Sequence, residues 1–295
     1  MKKVLVVLVL GMVLGQVVYA NNAGEKAAAF LKLGAGARAN AMAGAYCAIS
    51  DDSSACYWNP AGLVQMKGRE ASFMYLKPMS EVDGLGYSNI NIALPNMGAS
   101  LVYLGYGQTK EYDNGGIATG KDWSAFDMAI SGSYARKINK NLSVGGTLKV
   151  ISMKIDDSSA NAFCLDTGLL YKDYRPNLNL AAVLTNLGTK PKFVNEANPL
   201  PLSLRLGGAY KKNLKFPTLI SLDTNLSPFY VSLGIESALS PIFSARLGYA
   251  SGPAKEGPGL TAGFGISHQN LSLDYAIRPY GDLGLSHYIS LSTRF

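Results

Sequence analysis

The chain reads as an all-β protein: a transmembrane antiparallel β-barrel of about fourteen strands, with an N-terminal hatch segment in its lumen. Three observations predict this. Charged residues are only 16% of the chain while glycine (32) and tyrosine (17) are abundant, and typical soluble domains are about one quarter charged. Short runs alternate apolar and small or polar residues with period two, which puts the two sets on opposite faces of a strand. The connections between runs alternate short and long, as in bacterial barrels with short periplasmic turns and longer external loops.

The first twenty residues predict export. Met1-Lys2-Lys3 is a positive start, Val4 to Val18 is apolar and uncharged, and Val18-Tyr19-Ala20 is a small-residue cleavage site, together a signal peptide over residues 1–20. The run is short for a membrane anchor, and no later run is long enough to span a bilayer as a helix. Loss of Lys2 and Lys3 leaves 25 basic against 20 acidic residues. This excess is scattered along the sequence without a Lys/Arg cluster, which does not indicate nucleic-acid binding.

Residues 21–69 differ from the rest. EKAAAFLKL (Glu25–Leu33) suits a short helix or an extended lead, and Gly34-Ala35-Gly36 breaks it. Arg38–Ala48 is built of Ala, Met and Gly, able to pack closely but too small to form a core alone. Ser50–Ser54 is a cap or turn cluster, and Cys56–Leu63 a second compact turn. Trp58, Tyr57 and the Ala/Met content call for burial, and the lumen of a barrel offers it. Cys47 and Cys56 could pair, or these and Cys164 could be three unpaired small residues.

The barrel is expected over residues 70–295, with strands starting near Glu70, Gly86, Gly98, Ser124, Asn141, Ala160, Pro176, Leu202, Phe216, Phe229, Phe243, Gly259, Asn270 and Ser286. In one run, Leu260, Ala262, Phe264 and Ile266 share a face opposite Thr261, Gly263, Gly265 and Ser267; Leu202, Leu204 and Leu206 oppose Ser203, Arg205 and Gly207. An even strand count leaves both barrel ends on the periplasmic side. Short turns are expected at 95–97, 137–140, 173–175, 212–215, 240–242 and 268–269, and longer loops at 107–123, 186–201, 251–258 and 279–285. Tyrosines near strand ends, among them Tyr75, Tyr87, Tyr103, Tyr106, Tyr134, Tyr171, Tyr210, Tyr249 and Tyr288 with Trp123, suit interfacial girdles; some could instead wall an apolar path. The terminal Phe295 closes a last alternating strand.

Sorted by parity, the inward face carries Asp127, Lys149, Asp166, Arg205, Asp223, Glu236, Arg246, Asp274 and Arg278, about one charge per strand and of mixed sign. Charges are tolerable there when paired or hydrated and expensive on the lipid face. A cross-lumen network that holds the wall together is the favoured reading over specific ligand contacts. Two histidines, His268 and His287, support neither a catalytic triad nor a metal site. No catalytic set, metal ligand set, phosphate loop or cofactor motif is seen, so no enzyme activity and no cofactor is expected.

The blocks Gly-Ala-Arg-Ala, Asp-Asp-Ser-Ser-Ala and Trp-Asn-Pro-Ala-Gly-Leu follow in that order within FLKLGAGARANAMAGAYCAISDDSSACYWNPAGL, and the chain closes YGDLGLSHYISLSTRF. These stretches resemble the PorV/PorQ outer-membrane proteins, related to FadL-type transporters of long-chain fatty acids and other hydrophobic compounds. The resemblance implies a fourteen-stranded barrel and a hatch containing Arg38, Gly44, Asp51, Asp52, Asn59, Pro60 and Gly62, to which the buried-aromatic argument adds Trp58. It implies integral contact with outer-membrane lipid and passive transport of a hydrophobic or amphipathic small molecule. The alternative is a PorV-like role in type IX secretion, with external loops holding secreted substrate proteins. At about 275 mature residues the chain is shorter than FadL transporters, so their long external loops are trimmed.

Overall fold

The computed structural model describes residues 26–112, 115, 117–193, 196–252 and 259–295; the expected signal peptide lies outside them. The barrel strands are β1 (Glu70–Lys77), β2 (Gly86–Leu94), β3 (Met97–Tyr112), β4 (Ala118–Lys137), β5 (Leu142–Ile155), β6 (Ser158–Arg175) and β7 (Leu178–Gly188), with β8 (Lys192–Phe193) and β9 (Glu196–Ala197) forming a separate small hairpin. The barrel continues with β10 (Ser203–Asn213), β11 (Pro217–Leu226), β12 (Phe229–Ala238), β13 (Phe243–Ala250), β14 (Leu260–His268), β15 (Leu271–Pro279) and β16 (Leu285–Arg294). Fourteen strands close into one antiparallel barrel, sealed where β1 meets β16 from Glu70↔Arg294 to Lys77↔His287. Closure leaves no open edge, the condition for placing strands in lipid.

The alternation predicted from sequence sets the faces. Leu202, Leu204 and Leu206, Leu260, Phe264 and Ile266, and Leu271 and Leu273 are all exposed on the outer wall. Tyr75, Tyr103, Tyr134, Tyr171, Tyr210 and Tyr249 are exposed as well, whereas Tyr87 and Tyr288 are buried inside the lumen. Parity on β2 and β16 aims those two rings inward, so proximity to a strand end did not make them girdle residues.

Most strands start within two residues of the expected positions. β4 is the departure, starting at Ala118 instead of Ser124, and β3 runs on to Tyr112. The expected loop 107–123 is therefore mostly an extension of the β3–β4 ribbon. Beyond the hydrocarbon both faces of a strand meet water, so apolar alternation fades while the backbone ladder continues, here pairing Lys110 with Asp122. The 186–201 connection holds the β8–β9 hairpin, and residues 253–258 of the 251–258 connection lie outside the described set.

Candidate functional site

The barrel has a filled interior. Residues 26–66 form four short helical turns, Ala29–Lys32, Ala37–Ala41, Ala55–Trp58 and Pro60–Gln65. Their backbone is held around the wall. Ala37 N–H donates to Ser290 Oγ at 2.7 Å, Tyr46 and Cys47 N–H both donate to Asp223 Oδ2 at 3.0 Å, and Thr261 Oγ1 donates to Ala41 O at 2.8 Å. Ser53 N–H donates to Glu70 Oε1 at 2.8 Å and Tyr87 Oη to Gly34 O at 2.7 Å. Single turns too short to be stable alone are thus fixed by wall side chains that satisfy their free backbone groups.

Small residues make this fit possible. Ala35, Ala37, Ala41, Ala45, Ala55 and Ala61 are fully buried. Strand glycines face them, the usual mark of close backbone approach: a Cβ at Gly145 would collide with the Pro60–Ala61 peptide, and one at Gly248 would come within 2.5 Å of the Met42–Ala43 peptide.

The Trp58–Leu63 block folds as a locked corner. Asn59, fully buried, accepts from Ala61 N–H at 3.0 Å as a helix cap, with Pro60 in the first helical position, where its missing N–H costs nothing. Its Nδ2 donates to Cys47 O at 2.8 Å and Leu169 O at 3.2 Å, tying segment to wall. Gly62 presses against Ser50, and Gly44, at φ +73°, lets the chain turn beneath the Trp58 ring. Trp58 Nε1 donates to Ala35 O at 2.7 Å, and the Arg205 guanidinium lies 5.0 Å from the ring centroid.

Arg38 gathers the remaining predicted segment residues. It forms a fork with Glu236 of β12 (Nε–Oε2 2.7 Å, Nη2–Oε1 2.8 Å), and its Nη1 reaches Asp51 at 2.7 Å and Asp52 at 3.3 Å. Arg246 continues the chain to Glu236 and Asp274, both at 2.6 Å. Burial opposes the Arg38 charge, but Asp51 and Glu236 outweigh it and hold the guanidinium well above its ordinary pKa. Burial raises Asp52 above the usual carboxylate value despite Arg38. Tyr46, not singled out from the sequence, donates to Asp52 at 2.5 Å and accepts from Arg38 at 2.7 Å. Its signal was present, since a tyrosine buried among alanines needs a partner for its hydroxyl.

The other inward charges separate into smaller groups. Lys149 pairs with Asp166 at 2.6 Å and donates to Asn186 at 2.9 Å. Asp127 accepts from Tyr106 Oη at 2.7 Å, and Arg278 lies over the Tyr280 ring at 5.0 Å. Most of the nine thus join local groups rather than one ring across the lumen. All three cysteines are free and buried. Cys47 packs against Gly207 of β10 and Cys56 against Gly98 of β3, five strands apart around the barrel, so they are not bridged.

These groups divide the lumen in two. Toward the long loops an apolar cluster fills much of the interior, beside the buried Asp127 and Lys149–Asp166 groups: Phe30 and Leu31 pack with Met74, Leu76, Tyr87, Val102, Leu104, Ile151, Met153 and Leu200, with Phe193 of the β8–β9 hairpin against it. Ala27 N–H donates to Pro199 O at 3.0 Å, pinning this end of the segment beside the β7–β10 connection. Toward the short turns lies a polar cavity of about 650 Å³ lined by Arg38, Asp51, Asp52, Glu236, Arg246 and Asp274. The Phe30-Leu31 pair, read from sequence only as a lead, is what fills the apolar half.

The chain matches no protein-family model and no curated protein. Solved structures do resemble it. The TodX deltaS2S3 mutant monoaromatic hydrocarbon channel superposes with a TM-score of 0.61 at 14% identity, covering 89% of this chain and 99% of that one. The Pseudomonas putida toluene transporter TodX gives 0.56 at 14% identity over 88% and 96%. A Pseudomonas aeruginosa FadL homologue gives 0.53 at 13% identity over 87% and 97%. The architecture is therefore the closed fourteen-stranded barrel fold shared by FadL-type hydrocarbon channels.

Proposed function

We propose that this protein is an outer-membrane channel for passive transport of hydrophobic or amphipathic small molecules, with residues 21–69 acting as its hatch. The observation that carries this reading is the two-part lumen. An apolar compartment faces the long loops and is occupied by the Phe30-Leu31 pair of the chain itself, while a polar vestibule opens at the other end. Apolar walls supply binding by displacement of water, and a self-supplied apolar pair is a natural competitor for the same space. The structural neighbours named as hydrocarbon channels support the same class. The PorV-like reading, with external loops holding secreted proteins, rests on the sequence resemblance alone and gives this compartment no role, so transport is preferred.

The test uses cells with an intact lipopolysaccharide leaflet, because simple phospholipid bilayers pass monoaromatic solutes unaided. Expression of the full chain should raise accumulation of a labelled monoaromatic hydrocarbon above vector controls; equal accumulation would refute transport of that class. Separately, removal of residues 21–63 from the folded barrel should open proteoliposomes to small polar solutes. Unchanged permeability would remove the hatch role.

A further inference from the structure

The basic residues are scattered in sequence, but folding gathers many of them at one place. The short turn between β4 and β5 and its flanks carry Arg136, Lys137 and Lys140. The next short turn, β6 to β7, is flanked by Lys172 and Arg175, with Asp173 as the one acid. The third, β10 to β11, adds Lys211, Lys212 and Lys215. These three turns are successive on the same rim, because β4, β5, β6, β7, β10 and β11 are consecutive neighbours in the wall. Turns two strands apart are roughly 10 Å apart, about one Debye length at physiological salt, so the charges act together.

The basic charge of this rim is concentrated in the arc. The β2–β3 turn (Pro95-Asn96), the β12–β13 turn (Leu239 to Ile242) and the β14–β15 turn (Gln269-Asn270) carry no charge. At the β1–β16 seam Arg294 is paired with Glu70, leaving Lys67 and Arg69. Among the described residues, none of the eight cations of the arc has a carboxylate partner within 4.0 Å, and all but the half-buried Lys172 are exposed. By contrast the acids of the neighbouring cavity are largely taken up by Arg38, Arg246 and Arg294.

We infer that this arc is a docking surface for the acidic face of a periplasmic protein. An anionic lipid leaflet surrounds every turn alike and would favour cations all round the rim, whereas three neighbouring turns are basic and three are neutral. Lys172 and Lys211 line the polar cavity itself, so the arc reaches from the rim into the mouth. A partner held there sits beneath the opening, in position to cover it. The inference depends on charge placement and stands apart from what the lumen carries.

A decaglutamate peptide is the probe, with the mature chain in phosphatidylcholine nanodiscs. Wild type should bind it with an affinity that falls steeply with salt. Combined Lys140→Gln, Arg175→Gln, Lys212→Gln and Lys215→Gln, which removes four positive charges, should weaken binding more than tenfold. The same charge change on the neutral turns, Asn96→Glu, Ser240→Glu, Gln269→Glu and Asn270→Glu, should weaken it less than about threefold. Equal losses in the two variants would show net charge alone at work and overturn the inference, as would no binding by wild type at low salt. Phosphatidylglycerol in the nanodisc distinguishes the lipid source: if 30% of it abolishes wild-type peptide binding, the arc is a lipid site and the inference fails.

Discussion

Arg38 and Glu236 are joined by two parallel hydrogen bonds, 2.7 and 2.8 Å, across the boundary between the lumenal segment and the barrel wall. The pair lies 198 residues apart in sequence and links Asp51 and Asp52 on one side to Arg246 and Asp274 on the other. Removing one member of a buried pair leaves the other charge uncompensated, at about 3–5 kcal/mol. Arg38→Ala should therefore lower the thermal midpoint of the detergent-solubilised barrel and increase ion leakage through it. Arg38→Lys keeps the charge but not the planar fork and should fall between. An Arg38→Ala midpoint equal to wild type would show that the segment is held without this fork.

The wall glycines predict where bulk is forbidden. Gly145 faces the Pro60–Ala61 peptide, whereas Gly132 on the neighbouring strand has open space around its Cβ position. Gly145→Val should cost about 1–3 kcal/mol by overpacking and make the segment more sensitive to protease. Gly132→Val should change stability by about 0.5 kcal/mol or less. Heat-modifiable gel mobility compares the two directly.

Phe30 is 2% exposed within the apolar compartment. Phe30→Ala removes the largest side chain that the lumenal segment contributes to it, a change that typically costs about 3–5 kcal/mol in a core. On the transport reading, this variant should accumulate more labelled monoaromatic hydrocarbon than wild type in the cell assay. A decrease, with the barrel folded, would show that Phe30 guides the solute instead of competing with it.

The thiols give a pH test. Burial pushes the Cys56 thiol up to about 12, and Cys47 is raised by burial and then by Asp223. Neither should react with iodoacetamide at pH 8 until the barrel is denatured, when all three cysteines should alkylate without reductant. Above about pH 9 the unfolded Cys56 ionises while the folded one stays protonated, so its contribution to stability falls as pH rises from about 9 toward 12. The slope is at most about 1.4 kcal/mol per pH unit. Cys56→Ala should flatten the measured decline in that window; an unchanged slope would mean the thiol does not titrate differently on folding.

Sequence by itself determined the barrel, because a strand in lipid must show its two environments residue by residue. Leu202, Leu204 and Leu206 against Ser203, Arg205 and Gly207 is that constraint written out, and strand number follows from repeating it. Position along a strand was less legible: β3 and β4 extend past the bilayer, where water on both faces removes the pattern. The interior was decided by tertiary structure. Parity aims Glu236, Arg246 and Asp274 inward, but only closure brings them to Arg38, and only the packed segment shows that Phe30 and Leu31 fill the apolar half. The basic rim was equally hidden. Arg136 and Lys215 are 79 positions apart, and they share one arc because neighbouring antiparallel strands return their short turns to the same end of the barrel.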